Sequence, residues 1–334
     1  MPTGPMMPAP MSDVRIVTVT PNPAIDRVLI AEQFAVGEHV RAKRIGWYPG
    51  GKGINVSRVL AMLGTRSVAT GFVGKDELAT FEEYLERVGG RRIVMQLLIV
   101  RGRTRENTTI MDPVMDTETH IRDEGFTVQL EDVRRLTSKV GMLAREGSIV
   151  VIAGSLPPGV RPGDLRTMMH LCHEHGAHLV VDTSETSLEA LRGEPMWLLK
   201  LNAKELTDLT GMPTETEEQV IAAARSMSVA DGGLCQHVAA TRGAAGAVLV
   251  TPKEILSARV FVHPGLIANT VGCGDSLLAG MLHSFHGGQS WESALRMGVA
   301  TATANATSRT PGTIDRKEIA EFFDAATVDR HDLR

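Results

Sequence analysis

Asn269-Thr-Val-Gly-Cys-Gly-Asp-Ser-Leu-Leu-Ala-Gly280 sets two glycines and one carboxylate where a loop turns into a helix. Gly272 and Gly274 let the backbone turn tightly and approach a ligand closely. The free N–H groups of a helix's first turn, with its dipole, favour negative charge beside them. Asp275 stands at the mouth of such an anion cradle, placed to act as a base. Leu277, Leu278, Met281, Leu282 and Phe285 recur at helical spacing, which predicts the helix that supplies the dipole. The same residues also fit a plain turn in which Asp275 only caps the helix, so the rest of the chain decides between the two.

Working outward, a second glycine-rich stretch is Tyr48-Pro-Gly-Gly-Lys-Gly-Ile-Asn55. Val56, Val59, Leu60 and Leu63 after it share one helical face, and Gly64 is a natural stop. Gly46 to Lys52 fits all but the last position of a phosphate-binding P-loop, where Gly53 replaces the Ser or Thr that holds magnesium. The P-loop is therefore rejected. Gly50 and Gly51 mark a place where backbone passes close to a polar ligand, with Lys52 and Asn55 as donors. Upstream, the strand-like run Val14 to Thr20 ends in Pro21-Asn-Pro-Ala-Ile-Asp26, a turn that displays Asp26 at the strand's exit.

Between residues 133 and 205, helical stretches alternate with the apolar strands Ile149-Val-Val-Ile-Ala153, Leu179-Val-Val-Asp182 and Trp197-Leu-Leu-Lys200. That alternation is the mark of a buried parallel sheet in an α/β protein. Asp182, Lys200, Asn202 and Glu205 fall at or beyond strand C-terminal ends, where such sheets bind ligands. His237 to Thr241 predicts another strand, and Thr241-Arg-Gly-Ala-Ala-Gly246 either wraps a nucleotide or joins two strands. Trp291 to Thr307 predicts a small-residue helix containing Asn305, stopped by Thr310-Pro-Gly312, and an amphipathic segment around Ile319 to Phe323 closes the domain.

The 334 residues, 43% of them hydrophobic, suffice for a large core. A net charge of -4 without a long basic run argues against nucleic-acid or anionic-membrane binding, and no apolar run approaches the length of a membrane span. Cys172, Cys235 and Cys273 lie far apart, which suits a reducing cytoplasm. Residues 1–12 read as a disordered tail or alternative start. Cys172, His173, His175 and His178 imitate a metal cluster, but they run off a helix through Gly176 into a strand and match no zinc spacing.

In order, Asn-Pro-Ala-Ile-Asp26, Gly-Gly-Lys-Gly-Ile-Asn55, Thr-Arg105-Glu-Asn107, Gly-Ser155-Leu-Pro-Pro-Gly159, Lys200-Leu-Asn202-Ala-Lys-Glu205, the Thr241 loop and Thr-Val-Gly-Cys-Gly-Asp275 form one set. From Val14 onwards the chain resembles the ribokinase-like carbohydrate kinases, specifically the phosphofructokinase-B branch of 1-phosphofructokinase, minor 6-phosphofructokinase and tagatose-6-phosphate kinase. The resemblance implies a three-layer α/β fold over residues 13–330, a mostly parallel central sheet flanked by helices. A small β lid would come from segments near 27–48 and 97–124, pairing between subunits in a homodimer. It implies ATP and Mg²⁺ and leaves open a monovalent cation. Asp275 matches the base, and the amides of Gly272, Cys273 and Gly274 the anion hole for the transferring phosphoryl group. Lys200, Asn202 and Glu205 match the triphosphate region, with Glu205 on magnesium through water. Thr241, Gly243 and Gly246 match the nucleotide loop, and Asn305 an adenine-side contact. On the sugar side, Asp26, Gly50, Gly51, Lys52 and Asn55 match the hydroxyl-binding face, with Arg105, Asn107 and Ser155 near the substrate's phosphate.

The expected acceptor is fructose 1-phosphate, on Lys52 and the Gly102-Arg-Thr-Arg105 run. Fructose 6-phosphate comes next, on Arg122, and tagatose 6-phosphate third. Cys273 departs from the family's usual Ala, and a thiol at a helix N-terminus should have its thiolate favoured. A reactive cysteine and a small buried residue tolerated for its size both remain open. Leu201 stands for the family's usual Pro between Lys200 and Asn202.

Overall fold

All five side chains of Ile149–Ala153 are buried, so apolar layers must cover both faces of that strand. The computed structural model describes residues 16–183, 185–268, 270–308 and 314–333. The chain runs through β1 (Ile16–Thr20), β2 (Ala24–Ile30), β3 (Lys43–Gly50), α1 (Lys52–Leu63), β4 (Ser67–Gly74), α2 (Leu78–Gly89), β5 (Ile93–Val100), β6 (Arg105–Asp112) and β7 (Thr117–Arg122). Then follow α3 (Leu130–Leu143), β8 (Ile149–Ala153), α4 (Pro162–Glu174), β9 (His178–Asp182), β10 (Met196–Asn202), α5 (Ala203–Thr210), α6 (Glu217–Met227) and β11 (Cys235–Thr241). The last elements are β12 (Ala247–Val250), β13 (Ile255–Arg259), α7 (Cys273–His286), α8 (Trp291–Thr307), α9 (Arg316–Ala325) and β14 (Thr327–His331).

Among the described residues one ten-stranded sheet has the order β14-β13-β12-β11-β10-β9-β8-β1-β4-β5. Strands β5 to β11 in that order are parallel, and β12, β13 and β14 are antiparallel additions. Alternation along β1 divides the layers. Val17 and Val19 join the core under α3 to α6, whereas Ile16 faces the other layer. On that second side Thr18 Oγ1 bonds Ser57 Oγ of α1 at 2.8 Å, and Ser67 Oγ of β4 donates to the same hydroxyl. Helix α1 is thereby fixed over β1 and β4 by buried polar contacts as well as by Val56, Val59 and Leu60, each of which contributes about 1.5–3 kcal/mol on full burial. Gly64 ends α1 in the left-handed region at φ +99°, as the sequence predicts.

Helices α7 and α8 approach closely because glycine faces backbone on both. A Cβ on Gly280 would stand 2.7 Å from Met297 O, and one on Gly298 2.9 Å from Leu277 O. This contact holds α7, and with it the loop that precedes it.

A second sheet of four strands, β3-β2-β6-β7, is the lid. Its boundaries differ from expectation in two places. Residues 97–100 belong to β5 of the main sheet, so the second lid segment begins at Arg105. Asp26 lies within β2 and not in a turn, because β2 is paired on both sides, with β3 and with β6. Strand β14, which the sequence leaves unmarked, follows α9 and pairs with β13. The expected tail over residues 1–12, Asn269 and the stop at Thr310-Pro-Gly312 lie outside the described residues.

Candidate active site

Gly272 precedes α7 at φ +76°, which turns the loop into the helix without a Cβ penalty. Cys273, Gly274 and Asp275 form the first helical turn, at the positive end of the helix dipole. Asp275 is only 6% exposed. Asn55 Nδ2, from α1, donates to its Oδ2 at 2.8 Å. Burial first, and the charge of Asp182 second, push this carboxyl up to about 6, against the pull of Lys200, the Asn55 bond and Lys52. It is ionised at neutral pH yet close enough to neutrality to accept a proton readily.

Asp182, at the end of β9, is fully buried between two lysines. Lys52 Nζ donates to its Oδ1 at 2.8 Å and Lys200 Nζ to its Oδ2 at 2.9 Å. Burial raises the Asp182 carboxyl, but Lys200 and Lys52 outweigh burial and hold it below the usual carboxylate range. Lys52 also lies 3.6 Å from Glu205 Oε1. Burial opposes its charge, and Asp182, Glu205 and Asp275 together hold it above the ordinary lysine range. This departs from the sugar-face position expected of Lys52: as the first residue of α1, after Gly51 at φ +118°, it points toward the end of β9. Gly274 is explained by the same cluster, since a Cβ there would stand 2.5 Å from Lys200 Nζ.

On the lid side, Tyr48, Asp26, Asn107 and Arg122 occupy one row of register across the four strands. Side chains in one row share a face. Asn107 Nδ2 donates to Asp26 Oδ1 at 3.1 Å, and a Cβ on Gly50 would come within 2.5 Å of Asp26 Oδ2. Burial raises the Asp26 carboxyl, opposed by Asn107 and then by the charges of Arg58, Arg105 and Arg122. Arg105 folds over the chain after β1, donating from Nε to Pro23 O at 3.3 Å and from Nη2 to Asn22 O at 3.1 Å. Asn22 Nδ2 reaches Ser155 Oγ at 3.2 Å. The residues expected on the sugar side, other than Lys52 and Asn55, thus gather around the end of β1 and the base of the lid, and Asn55 faces Asp275 instead.

On the other side, Asn202 Oδ1 accepts from Glu205 N at 2.8 Å and Glu205 Oε2 accepts from Asn202 N at 2.8 Å, a reciprocal cap at the start of α5. Glu205 therefore spends one oxygen on its own helix and turns the other to Lys52. Thr241 lies beside Asn202 in register, so the Thr241–Gly246 loop borders this region; Gly243 and Gly246 adopt φ +58° and +88° as it turns into β12. Asn305 is fully buried and donates to Val271 O at 2.9 Å and to Cys273 Sγ at 3.3 Å. It braces the loop before α7, where an adenine-side contact was expected.

The favoured thiolate at Cys273 is not found. Burial raises this thiol, the Asn305 hydrogen bond opposes, and Asp275 raises it further. Desolvation and a neighbouring carboxylate thus outweigh the Asn305 hydrogen bond. Of the imitation metal cluster, Cys172 packs in the core, and among the described residues no group of three or more His, Cys, Asp or Glu could hold a metal ion. No helix among them is long and apolar enough to cross a membrane.

Sequence reasoning missed two residues here and gave a third no role. Asp182 was placed among the strand ends that bind ligands, and its signal was a carboxylate closing an otherwise apolar strand. Asn22 was hidden between two prolines, and Arg58 on α1, buried and bonded to Tyr84 OH at 3.0 Å, carried none.

The model of the pfkB family carbohydrate kinases matches residues 19–318. The chain is 34% identical to the 1-phosphofructokinase of Bacillus subtilis (strain 168), over 89% of this chain and 94% of that one. Its structure resembles Escherichia coli phosphofructokinase-2 in complex with substrates and products, at TM-score 0.85 and 26% identity over 93% of this chain and 99% of that one. The same enzyme in complex with potassium matches at TM-score 0.84 and 26% identity, over 93% and 98%. With the central sheet, the lid and the buried carboxylate at a helix N-terminus in hand, these matches place the chain as a member of the pfkB family of carbohydrate kinases.

Proposed function

We propose that the chain is an ATP-dependent phosphofructokinase that phosphorylates fructose 1-phosphate to fructose 1,6-bisphosphate. The observation that carries this is the enclosed Asp275, held by Asn55 at a helix N-terminus with its carboxyl pushed up to about 6. The free hydroxyl oxygen of the sugar attacks the γ-phosphorus of ATP, the bond from that phosphorus to the β,γ-bridging oxygen breaks, and ADP leaves. Asp275 takes the hydroxyl proton. Such a transfer needs positioning and charge stabilisation more than covalent chemistry. The amides of Gly272, Cys273 and Gly274 and the ammonium of Lys200 face the charge that develops. Lys52 joins them from between the carboxylates of Asp182 and Glu205.

Glu205 Oε1, which faces Lys52 at 3.6 Å, would hold Mg²⁺ through water, as expected of an ion that keeps its hydration and leans on substrate phosphates. When bound, Mg²⁺ neutralises phosphate charge. Thr241, Gly243, Gly246 and Asn202 border the nucleotide. Asp26, Gly50, Gly51, Asn55 and Asn107 take the sugar's hydroxyls, with Arg105, Ser155 and Arg122 toward its phosphate. The potassium complex of the E. coli enzyme motivates a monovalent-cation requirement here. Trp47 and Ile121, in one row on the opposite face of the lid, are 38% and 54% exposed, which supports a homodimer through the lid.

A second reading, fructose 6-phosphate as acceptor, draws on Arg122 beside Asn107 and on the phosphofructokinase-2 likeness; tagatose 6-phosphate is third. Coupled ADP-release assays with the three ketose phosphates, fructose and adenosine test this. The highest kcat/KM should belong to fructose 1-phosphate. Binding without turnover of any of them would replace the kinase by a non-catalytic sugar-phosphate regulator.

A further inference from the structure

The Thr241–Gly246 loop is tied to the far end of the chain through one carboxylate. Glu217, in the first turn of α6, receives a bond from Arg242 Nη1 on its Oε2 and one from Ser257 Oγ of β13 on its Oε1, the latter at 3.2 Å. Ser257 Oγ is also 2.8 Å from His331 Nε2 of β14, and that nitrogen is 3.5 Å from Glu217 Oε1. Ser257, Asp329 and His331 share the face of the sheet that α6 covers, and Glu217, Ala245, Ser257, Ala258, Arg259 and Asp329 line a polar cavity of about 110 Å³. Arg242 N donates to Gly246 O at 2.8 Å, closing the loop on itself, and a Cβ on Gly246 would collide with Ala258 O of β13. The loop therefore has little room to move except by breaking the Arg242–Glu217 pair.

We propose that Arg242 and Glu217 are positioning residues for the nucleotide: they clamp the loop in its binding conformation and couple it to the docking of the C-terminal strand β14 through Ser257 and His331. The proposal rests on the reading of residues 241–246 as the nucleotide loop. Neither Arg242 nor Glu217 needs to touch the nucleotide. A loop held in the bound conformation beforehand loses less freedom on binding, so the clamp acts on nucleotide affinity and not on the chemical step. Because the link is reciprocal, bound nucleotide also holds β14 in place.

The test uses the full chain with Glu217→Gln, Arg242→Leu, their double variant and His331→Phe. The readouts are KM for MgATP, KM for the sugar phosphate, kcat at saturation, and Kd for a non-hydrolysable ATP analogue. A charge-assisted bond of this kind predicts that Glu217→Gln and Arg242→Leu each weaken both nucleotide constants about 3- to 30-fold. The sugar-phosphate KM and kcat should stay within about twofold, and the double variant should be no worse than the poorer single one. His331→Phe should show the same split, smaller. Unchanged nucleotide affinity, or parallel decline in both substrates as in a merely structural role, overturns the clamp. Gly243→Val, strained at φ +58°, separates the two levels of the argument. If it weakens nucleotide binding while Glu217→Gln does not, the clamp alone fails; if it leaves nucleotide binding intact, the nucleotide-loop reading fails and takes the clamp with it.

Discussion

Asp275→Asn should make the protein much slower and measurably more stable. The wild-type carboxyl sits at about 6 in the fold against 3.8 for the model group, a rise of about two units. At 1.36 kcal/mol per unit, keeping it ionised costs the native state about 3 kcal/mol at neutral pH. The sign follows from the raised value. Below pH 4 the group is protonated in both states and costs nothing, the penalty grows between pH 4 and 6, and it is complete above 6. Asparagine keeps an acceptor for Asn55 Nδ2 and carries no charge, so the variant should recover this energy at pH 7.5 and about half of it at pH 5. At roughly 2 °C per kcal/mol for a chain of this size, Tm should rise by about 5 °C at pH 7.5. Turnover should fall about 10²–10⁴-fold, with nucleotide Kd nearly unchanged, and the acid limb of the wild-type kcat/KM profile should bend near pH 6. Urea and thermal unfolding at the two pH values, run beside the kinetics, supply the check. A variant no more stable than wild type, a gain independent of pH, or near-normal turnover would each refute the reasoning.

Asp182→Asn removes the partner that the buried Lys200 shares with the half-buried Lys52, and breaking a buried pair costs about 3–5 kcal/mol; urea midpoints should fall accordingly, and an unchanged midpoint would mean that Lys52 and Lys200 find other partners. Gly274→Ala places a methyl 2.5 Å from Lys200 Nζ, so Lys200 must leave Asp182 or α7 must shift; kcat/KM should drop about tenfold or more in steady-state assays, in line with the cost of misplacing a catalytic group by about 1 Å. Cys273, raised by burial and by Asp275, should alkylate more slowly than a free thiol at pH 7.5, and a pH–rate profile that bends below the ordinary thiol value would contradict the structure.

Where a single backbone signal dictated local structure, the sequence was readable. The period of Leu277 to Phe285, the glycine after Leu63 and the uniformly apolar Ile149–Ala153 each yield the element that forms. Strand β14 offers no such signal: Thr-Val-Asp-Arg-His contains one aliphatic residue, and its stability comes from pairing with β13, some seventy residues earlier. Asp26 was misplaced for a similar reason. Two prolines imply a turn, and only β3 and β6 on either side turn the following residues into a strand. The aim of Lys52 depends on the φ of Gly51, which no composition reveals. For Cys273 both effects were known, and the sequence could not weigh desolvation against the dipole because burial is a property of the folded chain.

That limit bears on why Asp275 suits the role of base proposed for it. An aspartate on an exposed helix start would sit near its ordinary value and be a poor proton acceptor at neutral pH. Its basicity here comes first from burial and second from the charge of Asp182, and burial persists only while α7 stays pressed into the molecule. The α7–α8 contact achieves this through Gly280 and Gly298, where any side chain would meet backbone of the other helix. Asn305, from the last turns of α8, braces the loop that leads into Asp275. Lys200 and Lys52 meanwhile prevent the pair of carboxylates from rising until Asp275 is neutral. The carboxylate proposed as the base is thus an unfavourable group imposed by a favourable packing, and substitutions that relax that packing, such as Gly298→Val, should lower the acid limb of the pH profile as well as the stability.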